Sequence, residues 1–184
     1  MQPTDYFREH LTQHGQIAFV DFMQQALYSP NWGYYNRSQS PLGATGDFIT
    51  APELTPLFGY TLANQCEAIL KHLSHPELFE FGAGTGRLCI DILTRLEQLD
   101  ALPNAYHILE VSGALASQQQ HTIQAEIPHL ADRIQWHTSL PNTPFEGVIL
   151  ANEVLDAMPV HRFLKTPDGI FESMIGLDSN QQLV

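Results

Sequence analysis

The residues with the clearest chemical potential form one short run, Glu80-Phe81-Gly82-Ala83-Gly84-Thr85-Gly86, joined at a distance by Glu110. Glycines at alternate positions permit a tight turn and let backbone N–H groups approach a ligand without interference from Cβ atoms. The run follows the apolar stretch LFEF and precedes a helical stripe of Leu88, Ile92, Leu96 and Leu99. That is the strand–turn–helix setting in which α/β folds bind nucleotides. A lone carboxylate at Glu80 is costly to bury, so it is expected to accept hydrogen bonds from the turn or from a ligand, and a cationic ligand suits it. Glu110 ends the next strand, 28 residues after Gly82. There it can accept both hydroxyls of an adenosine ribose, at about 1.5–3 kcal/mol per charge-assisted bond, and it repels a 2′-phosphate. Its competing role is to cap the following helix. The G-x-G-x-G spacing departs from the G-x-G-x-x-G of dinucleotide binders, which makes an NAD-dependent oxidoreductase the weaker reading.

Other polar residues have two readings each. Thr50-x-x-Glu53 fits a capping box, while Thr55-Pro56 offers a competing helix start. If Thr55 caps, Thr50 and Glu53 are released for another task. Asp47, between Gly46 and Phe48, reads first as a turn former. Trp136 ends the third strand and by its type alone reads as a core tryptophan. His137 and His161 have no neighbours at metal-ligand spacing, so no metal site is expected. Cys66 and Cys89 lie in apolar helical patterns and read as small core residues.

The elements that must position these residues follow from periodicity. Thr4 or Asp5 can cap a first helix that Gly15 closes. Phe19, Phe22, Met23 and Ala26 then mark an amphipathic helix ending at Ser29-Pro30. Residues 29–50 form a long loop rich in glycine, proline and aromatics, and such loops in compact domains tend to be functional. Leu62, Cys66, Ile69, Leu70 and Leu73 give another helical face. From Leu78 onward, strands LFEF, YHILEV, RIQWH and GVILA alternate with helices, including one over 113–126. This order implies a parallel sheet with helices on its faces. Helix is expected again over 152–158, and a hairpin about Pro167-Asp168-Gly169 closes the sequence. We therefore expect an N-terminal helical region, 1–75, and an α/β region, 76–184.

Composition narrows the function. The chain has 184 residues, with 20 acids against 8 bases and a net charge of −12. That balance argues against a nucleic-acid or anionic-membrane partner held mainly through phosphate contacts. No apolar run reaches the roughly 18 residues of a membrane span, and the N-terminus shows no signal or transit pattern. Membrane insertion is not expected, and the cytoplasm is the expected compartment.

The E-x-G-x-G-x-G run resembles motif I of class I S-adenosylmethionine (SAM) methyltransferases. Three further stretches resemble the MidA family: Phe22-Met23…Ala26-Leu27-Tyr28…Pro30…Gly33-Tyr34-Tyr35, then Gly46–Glu53 (GDFITAPE), then Ala151–His161 (ANEVLDAMPVH). MidA proteins are methyltransferases associated with assembly of respiratory complex I. The resemblance implies a class I Rossmann-like sheet, SAM as cofactor, and a protein substrate methylated on arginine, with a respiratory-complex subunit as one such partner. It implies a cofactor site of Glu80, Gly82, Ala83, Gly84, Gly86, Glu110, Ser139 and Asn152, a covering segment with Asp47, Thr50 and Glu53, and an adenine wall at Trp136 as the alternative to a core role. Glu153 and Asp156 become the catalytic pair. Guanidinium is charged at any working pH and presents its donors in a fixed fork, and residues spaced i and i+3 on a helix share a face that can orient it. The competing reading makes Asn152 a helix cap, with both acids favouring the helix N-terminus. A non-catalytic assembly factor that keeps the fold is the rival from another class. The class I sheet has seven strands, of which four precede the terminal hairpin here, so the chain is expected to be part of a longer enzyme, with an apolar edge left at the fourth strand.

Overall fold

Proline and glycine set the ends of the first helix. The computed structural model describes residues 2–30, 32–37, 43 and 46–184. Helix α1 (Pro3–His14) has Pro3 at its first position, where a missing N–H costs nothing. Gln2 is therefore the N-cap, in place of the expected Thr4 or Asp5, and Gly15 ends the helix at φ +85°. The short strand β1 (Ile17–Ala18) leads into α2 (Phe19–Tyr28), which stops at Ser29 as its pattern predicts. After α3 (Ala51–Leu54) comes α4 (Pro56–Leu70), whose N-cap Thr55 accepts a hydrogen bond from the Leu57 N–H.

The α/β succession follows: β2 (Glu77–Phe81), α5 (Arg87–Gln98), β3 (Ala105–Leu109), α6 (Gly113–Glu126), β4 (Ile134–His137) and β5 (Gly147–Ala151). These four strands form one parallel sheet in the order β4-β3-β2-β5. Its interior face sets Leu78, Tyr106, Ile108 and Ile134 against Ala63, Cys66 and Leu70 of α4, Leu88, Ile92 and Leu96 of α5, and Ile123 of α6. On the opposite face Phe79 stacks with His107 and His137, whose rings approach to 3.0 Å (Nδ1 to Nε2). Strand β5 is an edge among the described residues, with Ile149 58% exposed. Burial pushes the Cys66 thiol up to about 11 and Cys89 well above its ordinary value, so both are inert packing groups.

Beyond β5 a single 3-10 turn (Leu155–Ala157) replaces the helix expected over 152–158. Strands β6 (Phe163–Thr166) and β7 (Gly169–Glu172) make the expected hairpin, and β8 (Met174–Ile175) pairs antiparallel with β1. The chain divides into two compact units, one of Met1–Ser38 with Leu155–Val184, the other Gln39–Val154. These units differ from the expected regions 1–75 and 76–184. Helix α4 packs along α5 and so belongs with the sheet, while the first two helices share a small core (Phe7, Leu11, Ile17) with the C-terminal segment. No helix of the described residues is long and apolar enough to cross a membrane.

The α4–α5 contact rests on one missing side chain. A Cβ on Gly59 would stand 2.5 Å from the Asp91 Cβ, closer than real atoms allow. Gly59→Val should therefore force the helices apart, costing about 1–3 kcal/mol as overpacked cores do. Urea denaturation of the variant is the measurement, and an unchanged midpoint would contradict this packing.

Candidate functional site

Parallel register brings the chemically useful residues to one end of the sheet. Phe81 stands level with Leu109 of β3 and Ala151 of β5, and Leu109 with His137 of β4. The Gly82 N–H then donates to the Leu109 carbonyl and the Glu110 N–H to the His137 carbonyl, both at 2.9 Å. The carboxyl ends of parallel strands form the ligand crevice of such sheets. The turn meets that geometry only because Gly82, Gly84 and Gly86 all adopt left-handed backbone angles, at φ +60°, +56° and +88°, where a side chain costs about 1–2 kcal/mol per residue. Gly86 is the N-cap of α5. The N–H groups of Ala83, Gly84 and Thr85 donate to no backbone carbonyl among the described residues. Together with the positive end of the α5 dipole they favour an anionic group.

Glu80 is buried just before the turn, on the interior face. It accepts from the Tyr106 hydroxyl at 2.8 Å, and among the described residues from no N–H of the turn. Burial lifts its carboxyl to about 7; the tyrosine hydrogen bond opposes this and the Glu110 charge adds to it. Tyr106 itself is held well above its ordinary value, chiefly by the same burial.

Glu110 is also buried but better served. Oε1 accepts from the Ser112 N–H at 2.9 Å and Oε2 from the Gln119 side-chain Nε2 at 3.0 Å. Burial still raises its carboxyl, against the lowering effect of these hydrogen bonds. Capping of α6 falls to Ser112, whose hydroxyl accepts from the Leu115 N–H, so Glu110 is not the cap. Trp136 is half-buried against the core and donates its indole N–H to Gln119 Oε1 at 3.0 Å.

Thr55 takes the α4 cap, and Thr50 makes no side-chain cap bond although it precedes α3. Glu53 is thereby released, and its Oε1 accepts a hydrogen bond from the Thr85 hydroxyl within the glycine turn. A Cβ on Gly43 would lie 3.6 Å from Glu53 Oε2 and 3.9 Å from Thr85. The segment reaching α3 therefore touches the turn. Asp47 is exposed in a bend before it. Residues 31, 38–42, 44 and 45 of the long loop expected over 29–50 lie outside the described residues.

Past β5 the geometry departs from expectation. Asn152 is half-buried at the strand end, and Glu153 is exposed with φ +52°, a left-handed conformation unusual for a glutamate. A Cβ on Gly82 would lie 3.7 Å from Val154, so this bend lies against the glycine turn. Glu153 and Asp156 do not share a helical face: Glu153 is not helical, and Asp156 sits in the 3-10 turn that belongs to the other compact unit. Ser139 is exposed in the bend after β4. His161 pairs with Glu172 on the hairpin at 2.6 Å. Burial, then His107, holds His137 below its ordinary value.

A family model of S-adenosyl-L-methionine-dependent methyltransferases matches residues 61–184. The chain belongs to that family. This methyltransferase-family chain is 34% identical over 189 residues to the mitochondrial protein arginine methyltransferase NDUFAF7 of Mus musculus, covering 89% of the chain and 43% of the relative. It is 30% identical to the homologue in Caenorhabditis elegans, covering 92% of the chain and 45% of the relative. A crystal structure of a Burkholderia thailandensis protein bound to S-adenosyl-homocysteine superposes with TM-score 0.88 at 38% identity, covering 99% of this chain and 48% of that one. The resemblance to the MidA family agrees with these relatives. The chain spans less than half the length of the relatives it matches.

Three contributors went unread in the sequence: Tyr106, Thr85 and Gln119. Gln119 alone left a trace, a polar residue at i+4 between Leu115 and Ile123, which are both buried.

Two measurements follow from the site. Because the folded Glu80 holds its proton to about pH 7 against an ordinary value of 4.5, the folded state binds more protons than the unfolded chain between those values. The contribution of Glu80 to the stability of the ligand-free protein should fall as pH rises across that window, by on the order of 3 kcal/mol at most, and Glu80→Gln should reduce the slope seen in thermal melts. At Glu153, replacement by Gly should leave the melting temperature unchanged or raised. Glu153→Val should lower it, since left-handed backbone costs a β-branched residue about 1–2 kcal/mol.

Proposed function

We propose that this chain carries the SAM-binding part of a protein arginine methyltransferase. The carrying observation is the state of Glu110. Its oxygens accept from the Ser112 N–H and the Gln119 amide, and the Val111 N–H also favours the charged form, while a carboxylate offers about four lone-pair sites. Acceptor capacity is left for ribose hydroxyls at the carboxyl end of β3.

The donor set fits the rest of the cofactor. Glu80, buried beside the turn, suits the cationic methionine end, and the backbone N–H groups of residues 83–85 suit its carboxylate. Trp136 offers a flat apolar wall to adenine, and Asn152 stands at the neighbouring strand end. SAM, when bound, supplies a methyl group made electrophilic by a sulfonium. The residues themselves have three tasks. Glu110 and the turn fix the ligand, Glu53 holds Thr85 and with it the shape of the turn, and Glu153 orients the acceptor.

Arginine as acceptor rests on the names of the NDUFAF7 relatives and on Glu153, whose exposed carboxylate stands at the carboxyl end of β5. A carboxylate there can pair with a guanidinium and turn one nitrogen toward the methyl donor. Asp156 joins this role only through the family motif, with no helical geometry behind it. The acidic net charge of −12 favours both a sulfonium ligand and an arginine-bearing partner. A respiratory-complex subunit is the proposed substrate, as the MidA resemblance implies.

Calorimetry with SAM and S-adenosyl-homocysteine tests the proposal. Binding is expected in the intact protein, with Glu110→Ala weakening it about tenfold to a hundredfold, the loss of one or two charge-assisted bonds. No binding of either ligand would overturn it. SAM affinity should also rise with pH through about 7 as Glu80 ionises, and Glu80→Gln should flatten that rise. Mass spectrometry on candidate partners then separates methyl transfer from mere binding.

A further inference from the structure

Helix α6 turns a stripe of Leu115, Gln119 and Ile123 toward the sheet, and all three side chains are buried. Two of them are apolar and need no explanation. Gln119 is completely sealed from solvent, and a buried primary amide is costly unless its groups are satisfied. Here they are. Nε2 donates to the Gly84 carbonyl and to Glu110 Oε2, each at 3.0 Å, and Oε1 accepts from the Trp136 indole N–H at 3.0 Å. The orientation of the amide is settled by its partners. A carbonyl and an ionised carboxylate only accept, and an indole N–H only donates.

These three partners lie on three different segments: the glycine turn, the end of β3 and the end of β4. Each is fixed in a way that bears on the crevice. Glu110 Oε2 is held by Gln119 while Oε1 is held by the Ser112 N–H, so the carboxylate plane cannot rotate. Drawing the Gly84 carbonyl toward α6 turns the Thr85 N–H of the same planar trans peptide to the opposite side, away from the helix. The indole of Trp136 is locked in its ring plane by its one polar atom. Gly86 closes the arrangement, since a Cβ there would stand 3.5–3.6 Å from Gln119 itself. A methionine of similar length would fill the same space with no polar demand, so space filling alone does not call for an amide.

We propose that Gln119 is a positioning residue for adenosine recognition, its buried amide setting the Glu110 carboxylate, the glycine turn and the Trp136 indole as one unit. This rests on the SAM-binding reading above. Gln119 touches no ligand; it acts through groups that do.

The test is calorimetric titration of the intact protein with S-adenosyl-homocysteine and with its 2′-deoxyribose analogue, for wild type, Gln119→Met and Gln119→Glu. Wild type should prefer the ribose form. Gln119→Met should bind S-adenosyl-homocysteine about tenfold to a hundredfold more weakly, the loss of charge-assisted positioning, and should lose most of its preference for ribose over deoxyribose. Gln119→Glu distinguishes positioning from packing. Ionised, it offers Glu110 and the Gly84 carbonyl no donor; protonated, it regains one. Its affinity relative to wild type at the same pH should therefore recover as pH falls from about 8 to 6. In a background with Trp32 and every other tryptophan except Trp136 replaced by Phe, ligand should shift the Trp136 emission when residue 119 is Gln and less in Gln119→Met. Full ribose preference in a folded Gln119→Met would overturn the role of Gln119 and leave the cofactor reading standing. If Gln119→Met does not fold, a Gln119→Glu protein with no pH recovery overturns it equally. Failure of wild type to bind S-adenosyl-homocysteine would overturn both.

Discussion

Parallel pairing of β2 between β3 and β5 is the constraint from which the site descends. With Phe81 level with both Leu109 and Ala151, three strands end together. The residues that follow them are then neighbours without any further instruction. A slip of one residue in a parallel ladder exchanges the two faces of a strand, which would turn Glu80 out of the interior and Phe79 into it. The three left-handed glycines matter only in this setting. They let the chain leave β2, receive the Leu109 carbonyl at Gly82 and enter α5 at Gly86 within five residues.

Two buried carboxyls stand beside this turn with contrasting support. Glu80 has one hydroxyl donor, from Tyr106, and burial prevails, lifting it to about 7. Glu110 has hydrogen bonds from both a backbone N–H and a side-chain amide that resist the same penalty. The contrast separates their roles: a carboxyl with spare proton affinity answers to charge, whereas one held from two sides answers to shape.

Much of this was legible in the residues. The α5 stripe, the bounds of α6, the four strands and the turn follow from periodicity, residue preference and punctuation by glycine and proline, because each is fixed by local preference plus one buried face. The failures are local too. Residues 152–158 carry helix-compatible letters, but only a few precede Pro159, and nucleating a helix for so little return is unfavourable. The chain instead makes a left-handed step at Glu153 and one 3-10 turn. Tyr106 and Thr85 escaped for a different reason. Their partners, Glu80 and Glu53, lie 26 and 32 residues away in sequence and meet them only through the fold. Gln119 is among the commonest kinds of helix residue, and nothing in its type tells a solvated glutamine from one that ties three segments together.

The Tyr106–Glu80 pair has one more consequence, which concerns charge accounting. A carboxyl that keeps its proton to about pH 7 leaves the empty crevice without a buried net charge at that point. On the proposed SAM-binding reading, a cationic group placed beside Glu80 would displace that proton. The site would then exchange one positive charge for another, with no change in the total charge held by the surrounding apolar core. The heat of ligand association would accordingly contain the ionisation enthalpy of whichever buffer receives the proton.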